Sequence, residues 1–436
     1  MKKGQLLYNK AKTLIPGGTM LLSKRPEMHL PDQWPSYFQS AKGITVTDLD
    51  GQKYTDMYIM GIGTNTLGYG YAAVDAAVTE TIKKGNMSTL SCPEEVGLAE
   101  KLVELHPWSD MVRLARSGGE ANSIAVRIAR AASGRDKVAI CGYHGWHDWY
   151  ISTNLGDNAG LDEHLLPGLK PAGVPRILAG TTIPFEYNNL DQISQIVKDN
   201  PDLGVIKMEV TRNMGPIEGY LEGIRKLCDA NNIVLIFDEC TSGFRETYGG
   251  IHLKYGVEPD VCMFGKALGN GYAITAVLGR KEVMEAAQKT FISSTFWTER
   301  IGPAAAVATL EAMKETRSWD IITEQGKKIQ AGWQKLGEEH NLRLKCAGIP
   351  ALSTYSIESP NWLKYKTFIT QEMLKRDYLA GSSVYLCIEH TDSVIDNYLN
   401  ELNPIMKVIR SYEETGRDIG ELLEGPVCHS SFKRLN

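Results

Sequence analysis

Lys266 stands in a glycine-rich loop, GKALGNG (265–271), directly after the apolar run DVCMF. Neither the glycines nor an apolar strand needs a cation there. A lysine in a close-approach glycine loop beside a sheet's ligand edge can be desolvated and act as a Schiff-base nucleophile, while a solvated surface lysine is the plainer reading. Two further features end or begin elements in the same way. NIVLIFDE (232–239) closes an apolar run on Asp238 and Glu239, carboxylates able to cap a turn, bind a metal or pair with a cationic ligand atom. RSGGEANSIAVRIARA places Ser117, Gly118 and Gly119 at the start of a strongly helical segment. There the free N–H groups either cradle an anion or belong to a capped helix without a ligand. An amine, a carboxylate and an anion cradle together suit a ligand with an aldehyde, a basic nitrogen and a phosphate, which is the make-up of pyridoxal phosphate.

The elements that must position these groups follow from the apolar pattern. KVAICG (137–142), VIKMEV (205–210), NIVLIFDE (232–239), DVCMFGK (260–266) and AITAVLG (273–279) alternate with helix-like segments. Continuous apolar strands separated by helices indicate an α/β fold with a mainly parallel sheet covered on both faces, and such sheets bind ligands beyond the carboxyl ends of their strands. After residue 305 the pattern becomes a helix, PAAAVATLEAMKET, then the strand candidates LSTYSI and SSVYLCIE, then the helix TDSVIDNYLNELNPIMKVIRSYEE, as in a smaller α+β unit. The expected division is an N-terminal segment, 1–55, contributing to the small domain, a large domain, 56–305, and a C-terminal small domain, 306–436. The Gly-, Pro- and Asn-rich stretch 153–185 is a lid candidate.

Composition narrows the function. The chain has 436 residues and a formal net charge of -5, with no Lys/Arg run to serve nucleic acid. No apolar stretch reaches membrane-spanning length, and the start reads as a cytoplasmic protein without a cleaved signal. The eight cysteines are scattered and several lie in apolar runs, so neither a disulfide framework nor a metal site is expected. His144 and His147 in YHGWHDW lack a third ligand nearby. GIGTNTLG (61–68) imitates a dinucleotide fingerprint, but its third glycine would fall on Thr66, outside any strand-to-helix context.

The ordered motifs LIPGG (14–18), GITVTDLDGQKYTDM (43–57), RSGGEANSIAVRIARAASGRDKVAICGYHGWHD (116–148), LIFDECTSGFR (235–245), PDVCMFGKALGNGYAITAVLGR (259–280) and EHTDSVID (389–396) resemble the class III aminotransferases of fold type I, in the branch around glutamate-1-semialdehyde aminomutase. The resemblance implies pyridoxal 5'-phosphate as cofactor. It makes Lys266 the imine-forming lysine and Asp238 the partner of the pyridine nitrogen, with Tyr143 stacked on the ring. Ser117, Gly118 and Gly119 match the family's SGT phosphate loop, with glycine where threonine is usual. Thr295 in STFWTER takes the place of a threonine that reaches the phosphate from the partner subunit, which implies a homodimer with shared sites. Glu209 in KMEVTRNMG matches an acidic position near the ring's 3′ oxygen, or makes a structural hydrogen bond.

The same resemblance implies a ping-pong transfer from an amino donor, L-glutamate, to a ketone or aldehyde acceptor. In the aminomutase branch an arginine soon after PGG holds the substrate carboxylate, whereas here Lys24 has that spacing and Arg25 follows it. That departure favours an acceptor other than glutamate semialdehyde. A keto-sugar of amino-sugar biosynthesis is the expected one, with Trp297 lining its site or serving as interface core; the alternative is the aminomutase, an isomerase. Arg245 in TSGFRETYG either anchors a carboxylate or ties its own loop.

Overall fold

The computed structural model describes residues 2–156, 169–211 and 213–430. They divide into two compact units, Met1–Tyr71 with Asp320–Asn436, and Ala72–Trp319.

The second unit is built on a seven-stranded sheet in the order Met111–Ala115, Thr275–Gly279, Val261–Phe264, Val234–Asp238, Leu203–Met208, Lys137–Cys141, Thr182–Pro184. Thr275–Gly279 runs antiparallel to both of its neighbours, and the five strands from Val261–Phe264 to Thr182–Pro184 pair in parallel. The strands Leu203–Met208, Val234–Asp238, Val261–Phe264 and Thr275–Gly279 are buried at every residue. Continuous apolar runs give this burial when helices cover both faces.

Helix Gly118–Ser133 lays Ala121, Ile124, Ala125 and Ile128 over Val205, Ile236, Val261 and Val277 on one face of the sheet. Each fully buried Val or Ile is worth roughly 1.5–3 kcal/mol relative to exposure. The helix stops at Gly134, whose φ of 66° is the left-handed conformation that glycine adopts without cost.

Helix Ile301–Thr316 falls in this unit and not with the C-terminal residues. Its alanine-rich sequence is apolar around most of the circumference, so it needs cover on several sides. Helices Ala72–Lys84 and Pro93–Leu105 and the turn Lys266–Gly269 provide that cover. Residues 56–71, in turn, fall with the first unit.

That first unit holds a sheet in which Phe38–Lys42, Thr45–Asp48 and Lys53–Met57 form an antiparallel meander and Tyr378–Ala380 joins Lys53–Met57 in parallel. A second sheet pairs Leu344–Ala347, Leu352–Ile357 and Ser383–Tyr385. Helix Asp392–Thr415 contributes Ile395, Tyr398 and Leu402 to a core around Trp333 and Tyr355. GIGTNTLG makes a tight turn, with Gly61 and Ile62 at φ 63° and 66°. Of the lid candidate, residues 157–168 lie outside the described residues, and 169–185 holds the short turn Arg176–Leu178 and the edge strand Thr182–Pro184. Among the described residues no helix is long and apolar enough to cross a membrane.

Candidate active site

Parallel register brings the sequence-derived residues to one edge of the sheet. Asp238 pairs with Met263, three residues before Lys266, and Met208 pairs with Cys141, two before Tyr143. Asp238, Lys266, Glu209 and Tyr143 therefore all leave the carboxyl ends of parallel strands, where ligands of such sheets bind.

Asp238 is 4% exposed and gathers three donors. His144 Nδ1 donates to Oδ2 at 2.9 Å, the Cys240 amide donates to Oδ1 at 3.1 Å, and Lys207 Nζ lies 3.7 Å from Oδ2. Burial pushes this carboxyl up, but the Lys207 charge and the hydrogen bonds from His144 and Cys240 outweigh it and hold the group well below the usual carboxylate range. Burial lowers the His144 imidazole, so the ring is neutral with its proton on Nδ1. Its Nε2 is buried and has no hydrogen-bond partner among the described residues. Neither His144 nor Lys207 belongs to the set expected from the sequence.

Lys266 opens a 3-10 turn, Lys266–Gly269, from a left-handed φ of 42°. A non-glycine residue held there is uncommon, and such strain is kept where the surroundings over-determine it. Its Nζ donates to Thr241 Oγ1 at 2.8 Å, which brings the amine to the turn that follows Asp238. Gly265 is needed for close approach, because a Cβ there would stand 3.0 Å from Thr275 Cγ2 and 3.4 Å from Cys240 Sγ. Arg245 is fully buried and its Nε donates to the Thr241 carbonyl at 2.5 Å, the loop-tying role of its two readings.

Tyr143 is 39% exposed and sets its ring edge-on to Tyr150, with centroids 6.1 Å apart. Glu209 accepts from the Tyr143 amide at 3.1 Å, and Tyr150 Oη donates to the Gly142 carbonyl at 2.9 Å. Gly142 sits between them at φ 114°, and a Cβ on it would meet Glu209 Oε2 at 2.5 Å. Of the two roles open to Glu209, the structural hydrogen bond is present.

At the start of helix Gly118–Ser133, Glu120 Oε2 accepts from the Ser117 and Arg116 amides at 2.9 and 3.1 Å. Burial raises the Glu120 carboxyl, and these amide bonds more than offset it, so it lies below its ordinary value. The Gly118 and Gly119 amides belong to the first helical turn, which has no intrahelical acceptors. Over Gly118 there is open room, with nothing within 4 Å of where a Cβ would stand.

Gly119 is crowded. A Cβ there would lie 3.1 Å from His147 Nε2 and 3.2 Å from Trp146 Nε1, so a threonine side chain is replaced in space by two ring nitrogens. Trp149 Nε1 donates to Ser123 Oγ at 3.1 Å, and that hydroxyl shares a hydrogen bond with His147 Nδ1 at 2.5 Å. Burial lowers the His147 imidazole. His144 and His147 thus serve different networks. Thr295 is exposed at the start of the turn Thr295–Thr298, and Arg116 ties that turn down through the Trp297 and Glu299 carbonyls at 3.0 and 2.7 Å.

The donor set fits a cofactor with an aldehyde, a ring nitrogen and a phosphate. An amine, a buried ionised carboxylate and an open helix N-terminus lie at one sheet edge. Lys207 was overlooked because VIKMEV reads as an ordinary apolar run. A lysine inside a strand buried on both faces was the available signal.

Residues 31–358 match the model of the family described as aminotransferase class-III. The chain is 34% identical over 409 residues to the 3-aminobutyryl-CoA aminotransferase of Cloacimonas acidaminovorans (strain Evry), covering 90% of this chain and 94% of the relative. It is 30% identical over 433 residues to the glutamate-1-semialdehyde 2,1-aminomutase of Methanocaldococcus jannaschii, covering 93% and 98%. Among solved structures, the FumI protein of Sphingopyxis sp. MTA144, in its PLP internal aldimine form, superposes with a TM-score of 0.86 at 24% identity, over 97% of this chain and 99% of that one. A glutamate-1-semialdehyde-aminomutase from Pseudomonas aeruginosa PAO1 gives 0.78 at 22% identity, over 93% and 94%. The shared architecture is that of the fold type I transferases.

Proposed function

We propose that this chain, which belongs to the class III aminotransferase family, uses pyridoxal 5'-phosphate to move an amino group from L-glutamate to a ketone or aldehyde, as a cytoplasmic homodimer with shared sites. The observation that carries the reading is the meeting of the Lys266 amine and the ionised Asp238 carboxylate at one sheet edge.

When bound, the cofactor supplies an aldehyde that takes up the amino group and a conjugated ring that holds the electron pair released at the substrate carbon. Asp238 would hold the ring nitrogen and favour its protonated form by charge. Lys266 Nζ is the amine that would hold the cofactor and, when free, would carry a proton at the substrate carbon. Thr241 Oγ1 orients that amine. The exposed Tyr143 ring would cover a ring face, and the Ser117, Gly118 and Gly119 region would take the phosphate, with Thr295 completing the site of the partner subunit. His147 Nε2 and the Trp146 indole stand where the family's threonine would give a hydroxyl.

For the acceptor, Trp297 is informative. Its indole packs against the core between the sheet and helix Gly118–Ser133 and so offers little surface to a sugar. With the 34% likeness to a 3-aminobutyryl-CoA aminotransferase, this favours a β-keto acyl thioester over the keto-sugar expected from the sequence.

The test is the visible spectrum of the cofactor-loaded protein mixed with glutamate, then with acetoacetyl-CoA, a panel of keto-sugars or glutamate semialdehyde. The expected result is a band bleached by glutamate and restored by acetoacetyl-CoA. Turnover of glutamate semialdehyde alone would make the protein an aminomutase, and restoration by a keto-sugar alone would return the sugar reading.

A further inference from the structure

Lys207 has no part in the reaction as described, yet it is 0% exposed in the middle of the sheet. It lies on the same face of its strand as Val205, under helix Gly118–Ser133, and pairs across to Ile236, two residues before Asp238. Burial lowers its amine and the Asp238 charge offsets part of that; its two partners are Asp238 Oδ2 at 3.7 Å and Met263 Sδ at 3.1 Å. Placing an ammonium in such an interior is costly, and an apolar side chain of similar volume would fold at least as well. What the lysine adds is charge beside Asp238.

We infer that Lys207 is a positioning residue for the cofactor ring: by holding Asp238 as a carboxylate, it keeps the proton shared by Asp238 and the ring nitrogen on the nitrogen. This rests on the pyridoxal phosphate reading above. Moving that proton onto Asp238 would neutralise the only carboxylate paired with Lys207 among the described residues and strand a buried ammonium. His144 works in the same direction, because the hydrogen bond from its Nδ1–H is stronger to a carboxylate than to a neutral carboxyl.

The other titratable groups near Lys207 are the partly buried Cys240 after strand Val234–Asp238 and the buried Cys262 on strand Val261–Phe264, both pushed far up as thiols. From the loop after Lys137–Cys141 comes His144, and the end of Lys207's own strand brings Glu209 toward that ring. The buried residues of helix Gly118–Ser133 include no titratable side chain. Asp238 is thus the one anion within ion-pair reach of Lys207 among the described residues.

The experiment loads the wild-type protein, Lys207→Met and Lys207→Gln with pyridoxal phosphate labelled with nitrogen-15 in the ring and follows the ring resonance between about pH 6 and 9. The wild type should hold a protonated nitrogen throughout. In the variants the resonance should move toward the unprotonated position and titrate inside that range, and kcat should fall about tenfold or more while the donor KM changes little. Folded, loaded variants with the wild-type resonance would overturn the inference.

If neither variant folds, carbon-13 labelling of aspartate in the apo wild type decides, since Asp238 must be ionised at about pH 6 and a protonated carboxyl refutes the idea. A wild-type protein that binds no pyridoxal phosphate would instead defeat the cofactor reading, which the apo measurement does not depend on.

Discussion

Asp238 and the Ser117–Gly119 turn serve the same site from opposite physical regimes. Asp238, with Lys207 and His144, forms a charged cluster shut inside the sheet and its covering helix. The turn presents an exposed serine and partly exposed glycines to an open space. Inside, each charge is present only because another compensates it, so the cluster stands or fails as a unit. At the turn, backbone amides and ring nitrogens contribute separate, modest hydrogen bonds. The buried end therefore sets a protonation state when the chain folds, and the open end sets affinity.

Asp238→Ala tests the first half most severely, because it leaves Lys207 as an uncompensated buried cation. A loss of about 3–5 kcal/mol is expected, read from urea unfolding. The sign with pH follows from a folded-state carboxyl held below its unfolded value of about 3.9. Its contribution is complete above that pH and is lost as pH falls toward the folded value, so the part of the gap that the carboxylate itself supplies should close in acid. A gap that widens in acid would mean that Asp238 is not ionised in the folded protein.

Gly142→Ala probes the border between the two regions. It forces both a left-handed φ and a Cβ against Glu209 Oε2, and a cost of roughly 1–3 kcal/mol is expected, with Tyr143 displaced. An unchanged melting temperature would show that the turn can relax.

His147→Ala should have the smallest effect, shifting stability by no more than about 0.5 kcal/mol. It should weaken pyridoxal phosphate binding by about ten- to a hundredfold, the worth of one hydrogen bond to a charged group. Pyridoxal, which lacks the phosphate, should bind the variant as it binds wild type. Equal losses for both ligands would remove His147 from the phosphate site.

The residues with a chemical task at strand exits were readable in the sequence, because Lys266 and Asp238 end apolar runs where polarity needs a reason. The central strands were readable for the same cause. Met111–Ala115 was not, since MVRLA carries an arginine and stays partly exposed at the sheet edge, and Thr182–Pro184 is too short to show a pattern. The helix Ile301–Thr316 was visible as a helix, but its partners were not, because an all-round apolar helix does not say which neighbours cover it. Lys207, His144 and the relay from Trp149 through Ser123 to His147 depend on which face of a strand or helix meets which loop. That information is in the register and not in the local sequence.

The Lys207–Asp238 pair also bears on how the sheet is assembled. Side chains alternate faces along a strand, so a slip of one residue between Leu203–Met208 and Val234–Asp238 would turn Lys207 to the far side, away from its carboxylate. Apolar neighbours such as Val205 and Ile206 would accept that error at small loss, since both faces are covered. The lysine would not, because it would be left as a lone charge in hydrocarbon. A costly ion pair in an otherwise greasy strand thus acts as an alignment key that rejects mispaired sheets.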